Sequence, residues 1–136
     1  MAATPEDAHR ALREQGREVM TEVLGAPYVV RRDESTNDFN APIRRLSEEF
    51  AYASLWTRGT LSRRERSLIT LGMLCALNRP HELRIHLIGA INNGCSAEEI
   101  RELLTHSVAY CGFPAAIDAL RVAEEVLRER GLLGQD

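Results

Sequence analysis

The chain has 136 residues, of which 44% are hydrophobic and 27% charged, and its formal net charge is −3. This length is typical of one domain with enough buried apolar surface to fold without a disulfide or a metal. The weakly negative charge gives no indication of nucleic acid or an anionic membrane as a partner. All 17 basic residues are arginines. This excludes a lysine Schiff base and leaves the binding of an acidic substrate by arginine open.

The three cysteines, Cys75, Cys95 and Cys111, form no C-x-x-C pair. Their odd number and spacing predict free thiols in a reducing compartment, not a disulfide framework or a dithiol redox site. The segment 1–11 carries charges of both signs and lacks the apolar core of a signal peptide. No apolar run approaches the ~18 residues of a membrane span. We therefore expect a cytoplasmic protein.

The apolar spacing in the first half of the chain predicts two helices separated by a loop. The first helix spans 5–24 and ends at Gly25. The stretch 26–40, with a charged run and a polar cluster, is expected to be an irregular loop that could cover a pocket. A second helix is expected from about Ala41 to a point before Gly59.

The second half of the chain shows the same helical period. Four further helices are expected, at 63–77, 80–93, 96–111 and 114–130. Ser62 and Glu65 have the spacing of a capping box at the start of the first of these. Since no long stretch alternates with period two, the sequence predicts an all-α bundle of about six helices. It is treated as a single domain, 1–136, with frayed termini at 1–9 and 131–136.

Three interpretations compete for the segment His81–His86. A metal site is not favoured, because H-E-x-x-x-H places His81 and His86 about 140° apart around a helix. Glu82 and His86 are an i, i+4 pair on one face. A neighbouring carboxylate would raise the pKa of the imidazole and orient it, which favours a proton donor near neutral pH. A surface ion pair without a chemical role is the remaining alternative.

Several segments in this order resemble the carboxymuconolactone decarboxylase family, over roughly residues 10–127. The segments that carry the resemblance are 39–42 (FNAP), 50–58 (FAYASLWTR), 66–74 (RSLITLGML), 82–87 (ELRIHL), 89–94 (GAINNG), 98–104 (EEIRELL) and 109–116 (AYCGFPAA). No single segment is diagnostic, whereas the complete ordered set is specific.

The family shares its fold with alkylhydroperoxidase D, a thiol enzyme whose helix carries C-x-x-C followed by a histidine. The resemblance implies an alkylhydroperoxidase D-like helical bundle in which His86 keeps the histidine position. The two cysteine positions would fall on Arg79 and Glu82, and Ser67 stands where the family has a glutamate. A dithiol relay needs both sulfurs, so this departure favours the decarboxylase branch.

The activity implied by the resemblance is decarboxylation of γ-carboxymuconolactone to β-ketoadipate enol-lactone, a step in protocatechuate catabolism. The leaving carboxylate is conjugated through an alkene to the lactone carbonyl, so the electrons can move onto that oxygen. The reaction then needs no cofactor and no metal. The protein must bind two carboxylates, stabilise a dienolate oxygen and supply a proton to the ring carbon.

The resemblance assigns candidate roles to six residues. His86 is the candidate proton donor or dienolate stabiliser, and Glu82 the candidate that orients it. Candidates for substrate binding are Arg44, Arg58, Arg66 and Trp56, the last as a pocket wall. Arg84 is a weaker candidate, because it lies two residues from His86 and points elsewhere on the helix.

The family also implies a ring-like homo-oligomer, a hexamer or a trimer. Two other functions stay open at this point. One is a thiol-dependent, peroxidase-like antioxidant relative. The other is a helical binding or assembly module without catalysis.

Overall fold

The chain is helical in the computed structural model, which describes residues 1–134. Within these residues there are seven α-helices, one π-helix and no strand, so the prediction of an all-α protein is confirmed. The helices are α1 (Pro5–Leu24), α2 (Ala26–Glu34), α3 (Ala41–Leu46), the π-helix (Ser47–Leu55), α4 (Arg63–Ala76), α5 (Pro80–Asn92), α6 (Ala97–Cys111) and α7 (Phe113–Glu129). No helix in this part of the chain is long and apolar enough to cross a membrane.

The helices form two compact units, Met1–Leu61 and a second unit that begins at Ser62. In the first unit α1 packs against the π-helix. The buried apolar side chains of these two elements are Val19, Met20, Val23, Leu24, Tyr52 and Ala53. Gly16 of α1 lies against the backbone of Glu48 in the π-helix, where an added Cβ would overlap the carbonyl.

The prediction of an irregular loop at 26–40 is wrong over most of this stretch, because residues 26–34 form α2. Pro27 lies in the first turn of this helix, where its missing N–H costs no hydrogen bond. Within the charged run 31–34, Arg32 is only 8% exposed, whereas the other three side chains are exposed. The Arg32 guanidinium donates to the carboxylate of Glu48 at 2.7 Å and to the carbonyl of Arg44 at 2.9 Å.

The N-terminus also differs from the expectation of a frayed segment at 1–9. The first helix begins at Pro5, and a capping box closes its start. The backbone N–H of Asp7 donates to Thr4 Oγ1 at 3.1 Å, and that of Thr4 donates to Asp7 Oδ2 at 3.0 Å. These bonds satisfy amides that a helix start otherwise leaves to water. At the other end, residues 131–134 contain no helix, and residues 135–136 lie outside the described part.

The second unit contains the four helices predicted from 63 onward, with ends within one or two residues of the expected positions. Capping boxes at Ser62 and Ser96 begin α4 and α6. The four helices share one apolar core, which consists of Leu71, Cys75, Leu83, Leu87, Ala90, Cys95, Ile100, Leu104, Ala119, Ala123, Val126 and Leu127. All three cysteines are free thiols, as the sequence predicts.

Candidate active site

Helix α5 holds His86 beside the core of the second unit. Leu83, Leu87 and Ala90 form the buried stripe of this helix, and each is at most 2% exposed. His86 follows Leu83 by three residues and precedes Ala90 by four, so it flanks that stripe. Its side chain is half-buried, whereas Glu82 one turn earlier is exposed.

The pKa of His86 shifts in the opposite direction to the one expected for a Glu–His pair. Burial lowers the pKa of His86 from its ordinary value to about 4. The cause is desolvation, which disfavours the charged imidazolium, while the exposed carboxylate of Glu82 does not offset it. His86 is therefore a neutral imidazole at neutral pH. In that form one ring nitrogen can donate a hydrogen bond and the other can accept a proton.

A buried polar contact links the end of α5 to α4. Asn93, which caps α5, donates from Nδ2 to Ser67 Oγ at 2.9 Å, and Ser67 is only 1% exposed. Asn93 follows His86 by seven residues, two helical turns, so this contact fixes the helix that carries the imidazole against α4. In the sequence Ser67 is visible only as a departure from the family pattern, and the contact with Asn93 was not predicted. The signal in the sequence that could have indicated this contact is the asparagine at the end of α5.

The other candidates in the second unit are two arginines. Arg66 lies on α4, directly before Ser67, and its Nε is buried. Arg84 lies on α5 and forms an exposed ion pair with Glu129 of α7 at 2.5 Å.

Arg44, Trp56 and Arg58 lie in the first unit. Trp56, directly after the π-helix, stacks on Tyr52 with ring centroids 6.2 Å apart and planes inclined by 11°. It is half-buried, whereas Arg58 is exposed. Arg44 lies on α3 and lines a cleft of ≈ 530 Å³, and neither Trp56 nor Arg58 is among the described residues that line it.

Among residues 1–134 there is no group of three or more His, Cys, Asp or Glu side chains that could hold a metal ion. Glu82 and His86, one turn apart on α5, offer a carboxylate and an imidazole, two groups that can form hydrogen bonds and transfer protons.

Comparison with known proteins places the chain in a family. Residues 42–125 match the Carboxymuconolactone decarboxylase family. The chain is 44% identical over 118 residues to a 4-carboxymuconolactone decarboxylase of Acinetobacter baylyi, covering 87% of this chain and 88% of that protein. It is 38% identical over 127 residues to the nitrosuccinic acid decarboxylase npaB of Metarhizium robertsii, covering 93% and 89% respectively. The chain therefore belongs to the carboxymuconolactone decarboxylase family.

Proposed function

We propose that this protein is a carboxy-lyase that converts γ-carboxymuconolactone to β-ketoadipate enol-lactone in protocatechuate catabolism. The observation that carries the proposal is the 44% identity, over nearly the whole chain, to a 4-carboxymuconolactone decarboxylase. The second relative is also a decarboxylase, which supports loss of CO2 as the reaction class.

The reaction suits a protein that supplies only hydrogen bonds, charge and protons. The carboxylate leaves from a carbon conjugated through an alkene to the lactone carbonyl. The electron pair of the broken C–C bond moves onto the carbonyl oxygen and gives a dienolate, which is then protonated on the ring carbon. The substrate therefore contains its own electron sink, and the barrier falls when the developing oxyanion receives a hydrogen bond.

Of the two roles predicted for His86, the structure favours dienolate stabilisation over proton donation by an imidazolium. Burial keeps the pKa of His86 at about 4, so the ring is neutral where the enzyme works. The N–H of a neutral imidazole donates to the dienolate oxygen, and the ring carries no charge of its own. Glu82, one turn earlier on α5, remains the proposed residue that orients the ring.

The roles of Arg44, Arg58, Arg66 and Trp56 in binding the substrate remain proposals. Arg44 has the clearest support, because its guanidinium donates to neutral oxygens: the Arg32 carbonyl, Thr36 Oγ1 and Ser35 Oγ. Its positive charge thus has no carboxylate in direct contact within the described residues. An acidic substrate would provide one.

A second substrate class has independent support from the similarity to a nitrosuccinic acid decarboxylase over 93% of the chain. In an α-nitro acid the leaving carboxylate is attached to the carbon that bears the nitro group. That group accepts the electron pair as a nitronate, as the lactone carbonyl does in the first case. The two candidates therefore require the same protein chemistry and differ in the shape of the acid.

We further propose that the protein acts in the cytoplasm as a homo-oligomer, a trimer or a hexamer. The three free thiols agree with a reducing compartment. Ile69 and Met73 of α4 and the residue that caps its C-terminus, Leu77, are four residues apart and 44%, 61% and 61% exposed. A continuous apolar stripe of this kind on a helix is typical of a surface that packs against another chain.

The proposed activity is tested by CO2 release and the change in ultraviolet absorbance with γ-carboxymuconolactone generated in situ. Nitrosuccinic acid is assayed in parallel. We expect turnover of the lactone that survives both EDTA and a thiol-blocking reagent. Turnover of nitrosuccinic acid but not of the lactone would show that the protein is a decarboxylase with a different substrate. Consumption of peroxide that disappears in Cys75→Ser or Cys111→Ser would favour the peroxidase-like alternative. No turnover of either acid would contradict the proposal.

A further inference from the structure

Two cysteines that are far apart in the sequence meet in the second unit. Cys75 lies near the C-terminal end of α4, and Cys111 is the last residue of α6, a helix that packs against α4. The two thiols are in hydrogen-bonding contact. Ser107, one turn before Cys111 on the same face of α6, also contacts the thiol of Cys75. The fold therefore creates a pair of neighbouring thiols although the sequence has no C-x-x-C spacing.

The start of α7 also holds the sulfur of Cys75 at this place. Cys75 Sγ donates to the carbonyl of Ala115 at 3.8 Å. Ala115 lies in the first turn of α7 and follows Cys111 by four residues, across the turn at Gly112. The sulfur of Cys75 thus lies at the junction between α6 and α7, which is also the position of Cys111.

The two thiols differ in their access to solvent. Cys75 is only 1% exposed, whereas Cys111 is half-buried and has the exposed side chains of Tyr110 and Phe113 on either side in the sequence. Burial raises the pKa of the Cys75 thiol, and its contact with Ser107 offsets this only in part. A reagent from solvent therefore meets Cys111 first, while Cys75 stays protonated.

The third cysteine is separate from this pair. Cys95 is 5% exposed, and its Sγ donates to the carbonyl of Arg64 at 3.6 Å. It precedes the first turn of α6, whereas Cys111 ends that helix. A helix of 15 residues is about 22 Å long, so the sulfur of Cys95 cannot reach the pair.

We propose that Cys75 and Cys111 are a reversible dithiol–disulfide pair that a small-molecule disulfide oxidises, with Cys111 as the attacking thiol and Cys75 as the resolving thiol. The thiolate of Cys111 attacks one sulfur of glutathione disulfide, whose S–S bond breaks, and one reduced glutathione leaves. Cys75 then loses its proton and attacks Sγ of Cys111 in the mixed disulfide, which releases the second glutathione. The two cysteines lose two electrons and two protons, and the two glutathione molecules gain them.

The position of Cys111 allows the disulfide to close. A disulfide brings the two sulfurs to about 2 Å. Cys111 ends α6 and precedes Gly112, and the end of a helix is held by fewer hydrogen bonds than its middle. The bond would join α4 to α6 and enclose α5, the helix that carries His86, in a covalent loop. This chemistry does not depend on the proposed decarboxylation.

The test is incubation of the reduced, folded full-length protein with oxidised glutathione, followed by acid quenching, alkylation of the remaining thiols and digestion with trypsin. The chain has no lysine, so trypsin cuts only after arginine, except before proline. It leaves the three cysteines in separate peptides, 67–84, 85–101 and 102–121. We expect mass spectrometry to show 67–84 joined to 102–121 within one chain, with Cys95 alkylated. Dithiothreitol should restore three thiols.

Cys75→Ala is the informative variant, because it removes the resolving thiol and leaves the accessible one. It should retain glutathione on Cys111 as a stable mixed disulfide, which the unaltered protein does not accumulate. Cys111→Ser should take up no glutathione, since the thiol of Cys75 is buried. Cys95→Ser is the matched control and should form the same disulfide as the unaltered protein.

Three results would overturn the proposed pair. The first is glutathione that stays on Cys111 of the unaltered protein without forming the cross-link. The second is no reaction of Cys111 with oxidised glutathione. The third is a cross-link that involves peptide 85–101 or joins two chains. Failure of the decarboxylase assay would leave each of these results unchanged.

Discussion

The backbones of Gly16 in α1 and Glu48 in the π-helix are in contact. The carbonyl of Glu48 occupies the space that a side chain at Gly16 would need. This approach brings α1 close enough for Arg17 to reach the carboxylate of Glu48 at 3.2 Å. The same carboxylate accepts from the buried Arg32. Glu48 of the π-helix thus joins α1 and α2. Short π-helical segments occur frequently at functional sites.

Gly16→Ala should destabilise the protein, because the new methyl group meets backbone and cannot be accommodated by a rotamer change. We expect the free energy of unfolding to fall by about 1–3 kcal/mol, the usual cost of adding atoms to a packed core. Urea denaturation followed by circular dichroism measures it. Gly72→Ala on α4 is the control, since a Cβ there meets nothing within 4 Å. That change should stabilise the protein by up to about 1 kcal/mol through helix propensity.

Arg32→Ala should destabilise the first unit by about 3 kcal/mol, because it leaves the buried carboxylate of Glu48 with only the partly exposed Arg17 as partner. It also removes the donors to Ser47 and to the Arg44 carbonyl. Thermal and urea denaturation should both show the loss. Arg31→Ala, one residue earlier and exposed, should change the stability by less than about 0.5 kcal/mol. Equal effects of the two substitutions would contradict the buried ion pair.

The burial of His86 predicts a pH dependence of stability. The pKa of His86 in the folded protein, about 4, lies below its value in the unfolded chain. As the pH falls below about 6.5, the unfolded state binds the proton first. The free energy of unfolding should therefore decline between about pH 6.5 and pH 4, by at most about 3 kcal/mol from this group. The difference between the unaltered protein and His86→Gln isolates this contribution, and parallel curves would show that His86 is not desolvated.

The same pKa predicts the pH profile of the proposed activity. A neutral imidazole that donates its N–H to the dienolate is present throughout the range above about pH 5. We expect kcat to be level from about pH 5.5 to 8 and to fall only toward pH 4, as His86 gains a proton. A kcat that declines through about pH 6.5–7 as the pH rises would instead show that an imidazolium donates the proton.

The exposed stripe on α4 predicts self-association. Light scattering at micromolar concentration should give a multiple of the 15.2 kDa chain mass. Met73→Arg places a charge at the centre of the stripe and should shift the protein toward the monomer. Arg101→Glu, an exposed position on α6 outside the stripe, is a control for a change of surface charge. A monomeric mass for the unaltered protein would contradict the proposed oligomer.

The helices of the second unit could be predicted from sequence because their ends are encoded locally. Ser62 and Ser96 begin capping boxes, and Pro80 begins α5 in its first turn. Gly112, with φ of 85°, adopts a conformation that favours glycine and separates α6 from α7. Each signal lies within a few residues of the boundary that it marks.

The first unit was predicted less well because tertiary contacts determine its structure. The charged run of α2 has the composition of a loop, but Arg32 pairs with Glu48 and Asp33 pairs with Arg17, and these contacts between distant residues favour a helix there. The π-helix has no comparable local signal. At the candidate site, the spacing of Glu82 and His86 was visible in the sequence, but the desolvation that controls the titration of His86 depends on packing.

The central claim is that His86 stabilises the dienolate in decarboxylation of γ-carboxymuconolactone. The most direct measurement is kcat for CO2 release by the unaltered protein, His86→Ala and His81→Ala. His81 is an exposed histidine on the same helix and serves as the matched control. The account predicts a loss of about 10²–10³-fold in kcat for His86→Ala, as for removal of one oxyanion donor, and unchanged turnover for His81→Ala. Turnover by the His86→Ala protein at the rate of the unaltered protein would contradict it.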